Sequence, residues 1–143
     1  MKLQSHQHTC GAVALCNAVE ALGVRSLSEV EAIEMAESDP VEGTEAAGIK
    51  KALKKLDLNG TVIKTKDAAI AYWALVGALE HGNPALLVVD NDSHWVAAIG
   101  ILGSRVLVAD SADAGVVVVT PAAKLMERWA CPAFYGLIVG TKG

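Results

Sequence analysis

From Cys10 to Leu22 the chain is apolar at almost every position, CGAVALCNAVEAL, and most of the side chains are small. A helix that is apolar all round is a buried one. The pattern therefore predicts a core helix over residues 10–22, closed near Gly23. Ser28 and Glu31 then stand at the spacing of a capping box, with Val30, Ile33 and Met35 or Ala36 as an inward stripe. This predicts a second helix over about residues 28–37, ended by Asp39-Pro40. Gly43-Thr44 opens a third that runs to about Lys55, with Thr44 as N-cap and Ile49, Leu53 and Leu56 inside. Asn59-Gly60 reads as a turn and Thr61–Thr65 as a short strand. Asp67 caps a helix over residues 68–81, closed by Gly82 and Pro84.

Beyond Pro84 the period changes. Residues 85–89, 95–101, 105–109 and 115–119 are rich in Val, Ile and Leu, and read as consecutive antiparallel strands. Thr120-Pro121 supplies an N-cap and a first-turn proline for a helix to about Ala130, and residues 134–139 form a last strand. Helices first and strands afterwards make an α+β layout, with N-terminal helices packed on a mostly antiparallel sheet.

Composition sets the outer limits. The 143 residues suit a single domain spanning 1–143. A chain of this size buries about 68–70% of its unfolded surface. Hydrophobic residues make up 52%, enough for a core without cross-links. Twelve basic against sixteen acidic residues leave a net charge of −4, which argues against a nucleic-acid partner. The three cysteines have no paired spacing and read as reduced thiols. The opening residues lack a signal-peptide pattern, and no apolar run approaches the ~20 residues of a membrane helix. A soluble cytoplasmic protein, with no membrane partner, is the expectation. The lysines at 50, 51, 54, 55, 64 and 66 form a basic quarter that reads as a solvated face.

The candidate chemistry gathers in Gln4 to Leu15, QSHQHTCGAVAL. Cys10 opens the first helix, where unpaired N–H groups and the helix dipole favour a negative charge. A thiol there ionises more readily, and the thiolate is the attacking species. The amide of Gln4, six residues upstream, can fold back to donate to a developing oxyanion. Such a nucleophile needs a base and a group to orient it. His94 leads, at a loop-to-strand junction, and the following strand ends at Asp110.

The β-hairpin between them allows two registers. A five-residue loop at 100–104, centred on Leu102, sets His94 opposite Asp110 on one face. A tight turn at Gly103-Ser104 is the better hairpin chemistry, but it shifts the pairing by an odd number of places and sends the two to opposite faces. Only the first register supports catalysis on this reading. His6, His8 and Cys10 alternate and could share one face of an extended segment, but no second cluster completes a metal site. No metal or cofactor is expected. His81 near a helix C-terminus complements the dipole, Cys16 is a small core residue, and Trp73, Trp129 and Tyr135 are assigned to the core.

Together these residues resemble the bacteriocin-processing cysteine peptidases, the papain-like family that cuts leader peptides after a double glycine. The resemblance rests on Gln4, Cys10-Gly11 and AVALCNAV, then GTEAAGIKKALKKLDL, then His94-Trp95 and Asp110 in SHWVAAIGILGSRVLVAD. It covers roughly Gln4 to Gly115. It implies a papain-like fold and hydrolysis of a peptide or amide bond through an acyl-enzyme. By resemblance Cys10 is the nucleophile, His94 the general base and then acid, Asp110 the orienting carboxylate and Gln4 the oxyanion donor. Two departures bear on the substrate: Thr9 stands where an acidic residue is frequent, and Ser111 where a proline usually follows the aspartate. A peptide or protein substrate is expected; the sequence does not set the oligomeric state. The rivals are an acyltransferase or transamidase using the same triad, and a non-catalytic peptide-binding module on this fold.

Overall fold

The computed structural model describes residues 10–23, 26–36, 46–90, 94–110, 117–130 and 133–141. Within them the helices are α1 (Cys10–Leu22), α2 (Glu29–Ala36), α3 (Ala46–Lys55), α4 (Ala68–Glu80) and α5 (Ala122–Trp129). The strands are β1 (Leu58–Thr65), β2 (Ala85–Val89), β3 (His94–Leu102), β4 (Arg105–Ala109), β5 (Val117–Pro121) and β6 (Phe134–Thr141). They form one six-stranded sheet in the order β1-β6-β2-β3-β4-β5, with every neighbouring pair antiparallel. The α+β expectation holds.

Local chemistry explains most element ends. Residues 11–19 of α1 are all buried, as an all-round apolar pattern requires, and Gly23 follows with φ +76°. The capping box forms at α2: the Ser28 N–H donates to Glu31 Oε1 at 3.3 Å and the Glu31 N–H to Ser28 Oγ at 3.1 Å. Asp67 caps α4, its carboxylate accepting from the N–H groups of Ala69 at 2.9 Å and Ile70 at 3.2 Å. His81 Nδ1 donates to the Gly77 carbonyl at 2.7 Å and so satisfies the last turn of that helix.

Four local expectations are corrected. Val30 is 68% exposed, and α2 buries Ala32 and Ala36 instead, with Ile33 and Met35 partly covered. At 3.6 residues per turn Val30 stands roughly 160° from Ala32 and roughly 120° from Ala36, on the outer side. Asn59-Gly60 belongs to β1; the turn falls earlier, at Leu56 and Asp57, where Asp57 takes a left-handed φ of 59°. Thr120 and Pro121 end β5, paired with Val106 and Arg105, so α5 begins after them with no side-chain cap. Trp73 is 67% exposed on α4 rather than in the core. Thr44 lies outside the described residues.

The sheet divides two cores. Leu86, Trp95, Ala97, Ala109, Leu137 and Val139 face α1, α2 and α3. On the other side Leu87, Val89, Val96, Ala98, Val106 and Val108 pack under α4 and α5. Trp129 is fully buried there, its indole donating to the Tyr135 carbonyl at 2.8 Å, while Tyr135 is half-buried against the first core. Cys16 is buried in the first core, its Sγ 3.5 Å from the Ser28 carbonyl. Glycine permits two close approaches. A Cβ on Gly48 of α3 would run into the Ala36 carbonyl of α2, and one on Gly136 of β6 would stand 2.7 Å from the Leu86 carbonyl of β2. Among the described residues no helix is long and apolar enough to cross a membrane, which leaves strands unaddressed.

Candidate active site

The β3–β4 hairpin decides whether His94 and Asp110 can meet. It closes with the tight turn: Leu102 pairs with Arg105, Ile101 with Val106 and Gly100 with Leu107. The five-residue loop and its directly opposed His94–Asp110 pair are therefore not what forms. Carried on unbroken, that register would part the two residues, as the alternation of strand faces demands. It is broken. Between Ala98 and Gly100 the pairing slips by one residue, so that Ala98 meets Val108 and Ala97 meets Ala109. Ile99 is the extra residue of a β-bulge. One slip reverses the parity, and continuing the new register sets Asp110 across from Val96, on the same side as His94. The two become diagonal neighbours. The expectation that only the long loop supports this site is overturned by the bulge.

His94 Nε2 then donates to Asp110 Oδ1 at 2.6 Å, with His94 14% and Asp110 5% exposed. The short distance marks a strong, charge-assisted bond. A carboxylate accepts only, so the proton belongs on Nε2 and the proton-accepting nitrogen of the neutral ring is Nδ1.

Sequence reasoning missed two charged residues beside this pair. Arg128, in the last turn of α5, donates from Nη2 to Asp110 Oδ2 at 3.2 Å. It also grips Asp90, just past β2, through Nε to Oδ1 at 2.9 Å and Nη2 to Oδ2 at 2.7 Å. The Asp90 N–H in turn donates to the Arg128 carbonyl at 2.9 Å, with Asp90 in the left-handed region at φ 54°. The hydrogen bonds from Arg128 hold the Asp90 carboxyl below its ordinary 3.8, against the opposing effect of burial. The same bonds, Asp90 foremost, push the guanidinium further into its charged form. No local pattern announces the cluster. Asp90 opens a polar run that looks like a turn, and an arginine ending a helix looks like a dipole partner.

Cys10 begins α1, which packs principally on β3, but its side chain lies outside what the structure describes. Gln4, His6 and His8 lie outside the described residues altogether. Of the four expected site residues, the structure brings together His94 and Asp110.

A model of the Peptidase C39 family matches residues 1–131. The chain belongs to this family. It is a cysteine peptidase of the papain-like kind, as the sequence resemblance implies. No curated protein matches it. Among solved structures it shares its fold with the peptidase domain of Streptococcus ComA, a bifunctional ABC transporter involved in quorum sensing. There the TM-score is 0.78 at 18% identity, over 99% of this chain and 97% of that one. A double glycine motif protease from an AMS/PCAT transporter, in complex with the leader peptide, gives 0.72 at 17% identity, covering 98% and 89%. A putative C39-like peptidase from Bacillus anthracis gives 0.71 at 12% identity, covering 100% and 94%. The papain-like fold expected of this peptidase is the one observed.

Proposed function

We propose that Cys10, His94, Asp110 and Gln4 carry out peptide-bond hydrolysis in this chain, read as one peptidase domain over residues 1–143. The observation that carries the reading is the 2.6 Å hydrogen bond from His94 Nε2 to the buried Asp110. It turns Nδ1 into the nitrogen that exchanges a proton with the Cys10 thiol. α1 lies against the face of β3 opposite to His94, so thiol and ring would meet at the rim of the sheet.

In the reaction, the Cys10 thiolate adds to the scissile carbonyl while His94 holds the thiol proton. Gln4 and the Cys10 N–H donate to the resulting oxyanion. The intermediate collapses, the C–N bond breaks, and His94 Nδ1 gives its proton to the departing amine. Water, deprotonated by the same nitrogen, then cleaves the thioester and restores the thiol. Asp110 stays ionised throughout and keeps the ring aimed.

A peptide substrate is supported by the leader peptide bound to the AMS/PCAT protease. Thr9 and Ser111 leave the double-glycine preference as something for the substrate screen to establish. A reduced thiol nucleophile suits a cytoplasmic setting.

The test is cleavage of a peptide library that includes double-glycine sequences. Cys10→Ala should abolish turnover and Gln4→Ala should slow it by ~100–1,000-fold with the fold retained. Activity surviving Cys10→Ala would end the proposal. Repeating the assay with an added amine separates hydrolysis from transamidation by the product formed.

A further inference from the structure

Asp110 presents two carboxylate oxygens, and the general base uses one. The other faces Arg128 Nη2 at 3.2 Å, and Arg128 is itself held by Asp90 through two shorter bonds. The ends of β2, β4 and α5 and the start of β3 thus converge on an alternating string of charge: Asp90, Arg128, Asp110, His94. We propose that Arg128 and Asp90 are positioning residues for the His94–Asp110 pair. Arg128 pins the second oxygen of Asp110, and Asp90 draws off enough of the guanidinium charge that Asp110 still supports a positive imidazole. The proposal rests on the reading of His94 as the partner of Cys10.

The physics follows from distance. A cationic donor on the far oxygen of a buried carboxylate opposes both its rotation and its protonation. A bare arginine there would also cancel the field Asp110 exerts on the ring. Asp90 prevents this, because the guanidinium lies closer to it and is bound bidentately. Among the described residues the charged groups around the ring are Asp110 at the end of β4, Asp90 past β2 and Arg128 on α5; Lys124 and Glu127, also on α5, are exposed. Asp90 and Arg128 therefore act on the ring with opposite sign. At this range a partly screened unit charge moves a neighbouring titration by about half a pH unit.

The experiment is the pH profile of Cys10 alkylation by iodoacetamide, followed by peptide mass spectrometry so that Cys16 and Cys131 are counted separately. Arg128→Met removes a cation, which should move both limbs of the profile up by about half a unit. Asp90→Asn removes an anion and leaves Arg128 wholly on Asp110, which should move both limbs down by about the same amount. Merely loosened packing would not give shifts of opposite sign. If Arg128→Met does not fold, Asp90→Asn carries the test alone, by a downward shift or none. Folded variants with the wild-type profile, or shifts of the same sign, overturn the inference while leaving the Cys10–His94 reading intact. A wild-type Cys10 that reacts as an ordinary thiol, unaffected by His94→Ala, brings down both.

Discussion

At the scale of single residues, the site turns on which nitrogen of His94 holds the proton. Asp110 fixes it on Nε2, and the consequence can be measured. Asp110→Asn keeps an acceptor towards His94 but sets an amide N–H against Arg128. We expect kcat/KM to fall, and to fall further, by at least about a hundredfold, in Asp110→Ala, where nothing aims the ring. Steady-state kinetics on one cleaved peptide would rank the two. Asp90 makes a second prediction, about stability. Its carboxyl is held below 3.8 by Arg128, so its pairing stabilises the folded state fully above that pH. The contribution fades as pH falls through the lower, folded value. Thermal melts of Asp90→Asn and wild type should therefore differ from neutral pH down to about 4 and converge below it.

At the scale of elements, the bulge at Ile99 does what neither regular hairpin can do. The tight turn satisfies the local chemistry of Gly103-Ser104, and the slip brings the far ends of both strands back to one face. This also marks where the sequence could be read and where it could not. The α1 pattern, the Ser28–Glu31 box, the Asp67 cap and the β2 and β4 spans are local signals and were legible. A bulge depends on what Ile99 and Leu107 meet across the sheet, and no run of neighbouring residues records that. Val30 and Trp73 fail for a related reason: an apolar side chain does not say which side of its helix will be covered. The contact between α2 and α3 was equally silent. Gly48 sits against the Ala36 carbonyl, so Gly48→Ala should destabilise the fold by about 1–3 kcal/mol despite alanine's better helix propensity. Urea unfolding curves would measure it.

Over the whole molecule, helices on both faces of one sheet explain how a short chain can bring His94, Asp110, Asp90 and Arg128 together at one end of the strands. The first core anchors α1 and the second anchors α5, so residues far apart in sequence reach one end of the strands. Integrity of the sheet is thus a condition for the site. Gly136 lies close against β2 in the β6–β2 seam, where an added Cβ would meet the Leu86 carbonyl and the Leu87 side chain. Gly136→Val should separate these strands and lower the melting temperature by several degrees, about what 1–3 kcal/mol of overpacking implies. Amide exchange should quicken in β1 and β2 before it does in β4.

The strand order carries a consequence for synthesis. Among the described residues β6 is the last strand, yet it lies between β1 and β2 and is the strand that pairs with β1. Until it emerges from the ribosome, β1 is an unpaired ribbon and β2 has a bare edge, with long loops still to be closed. The sheet therefore cannot close until β6 has been made, after every other described strand and helix.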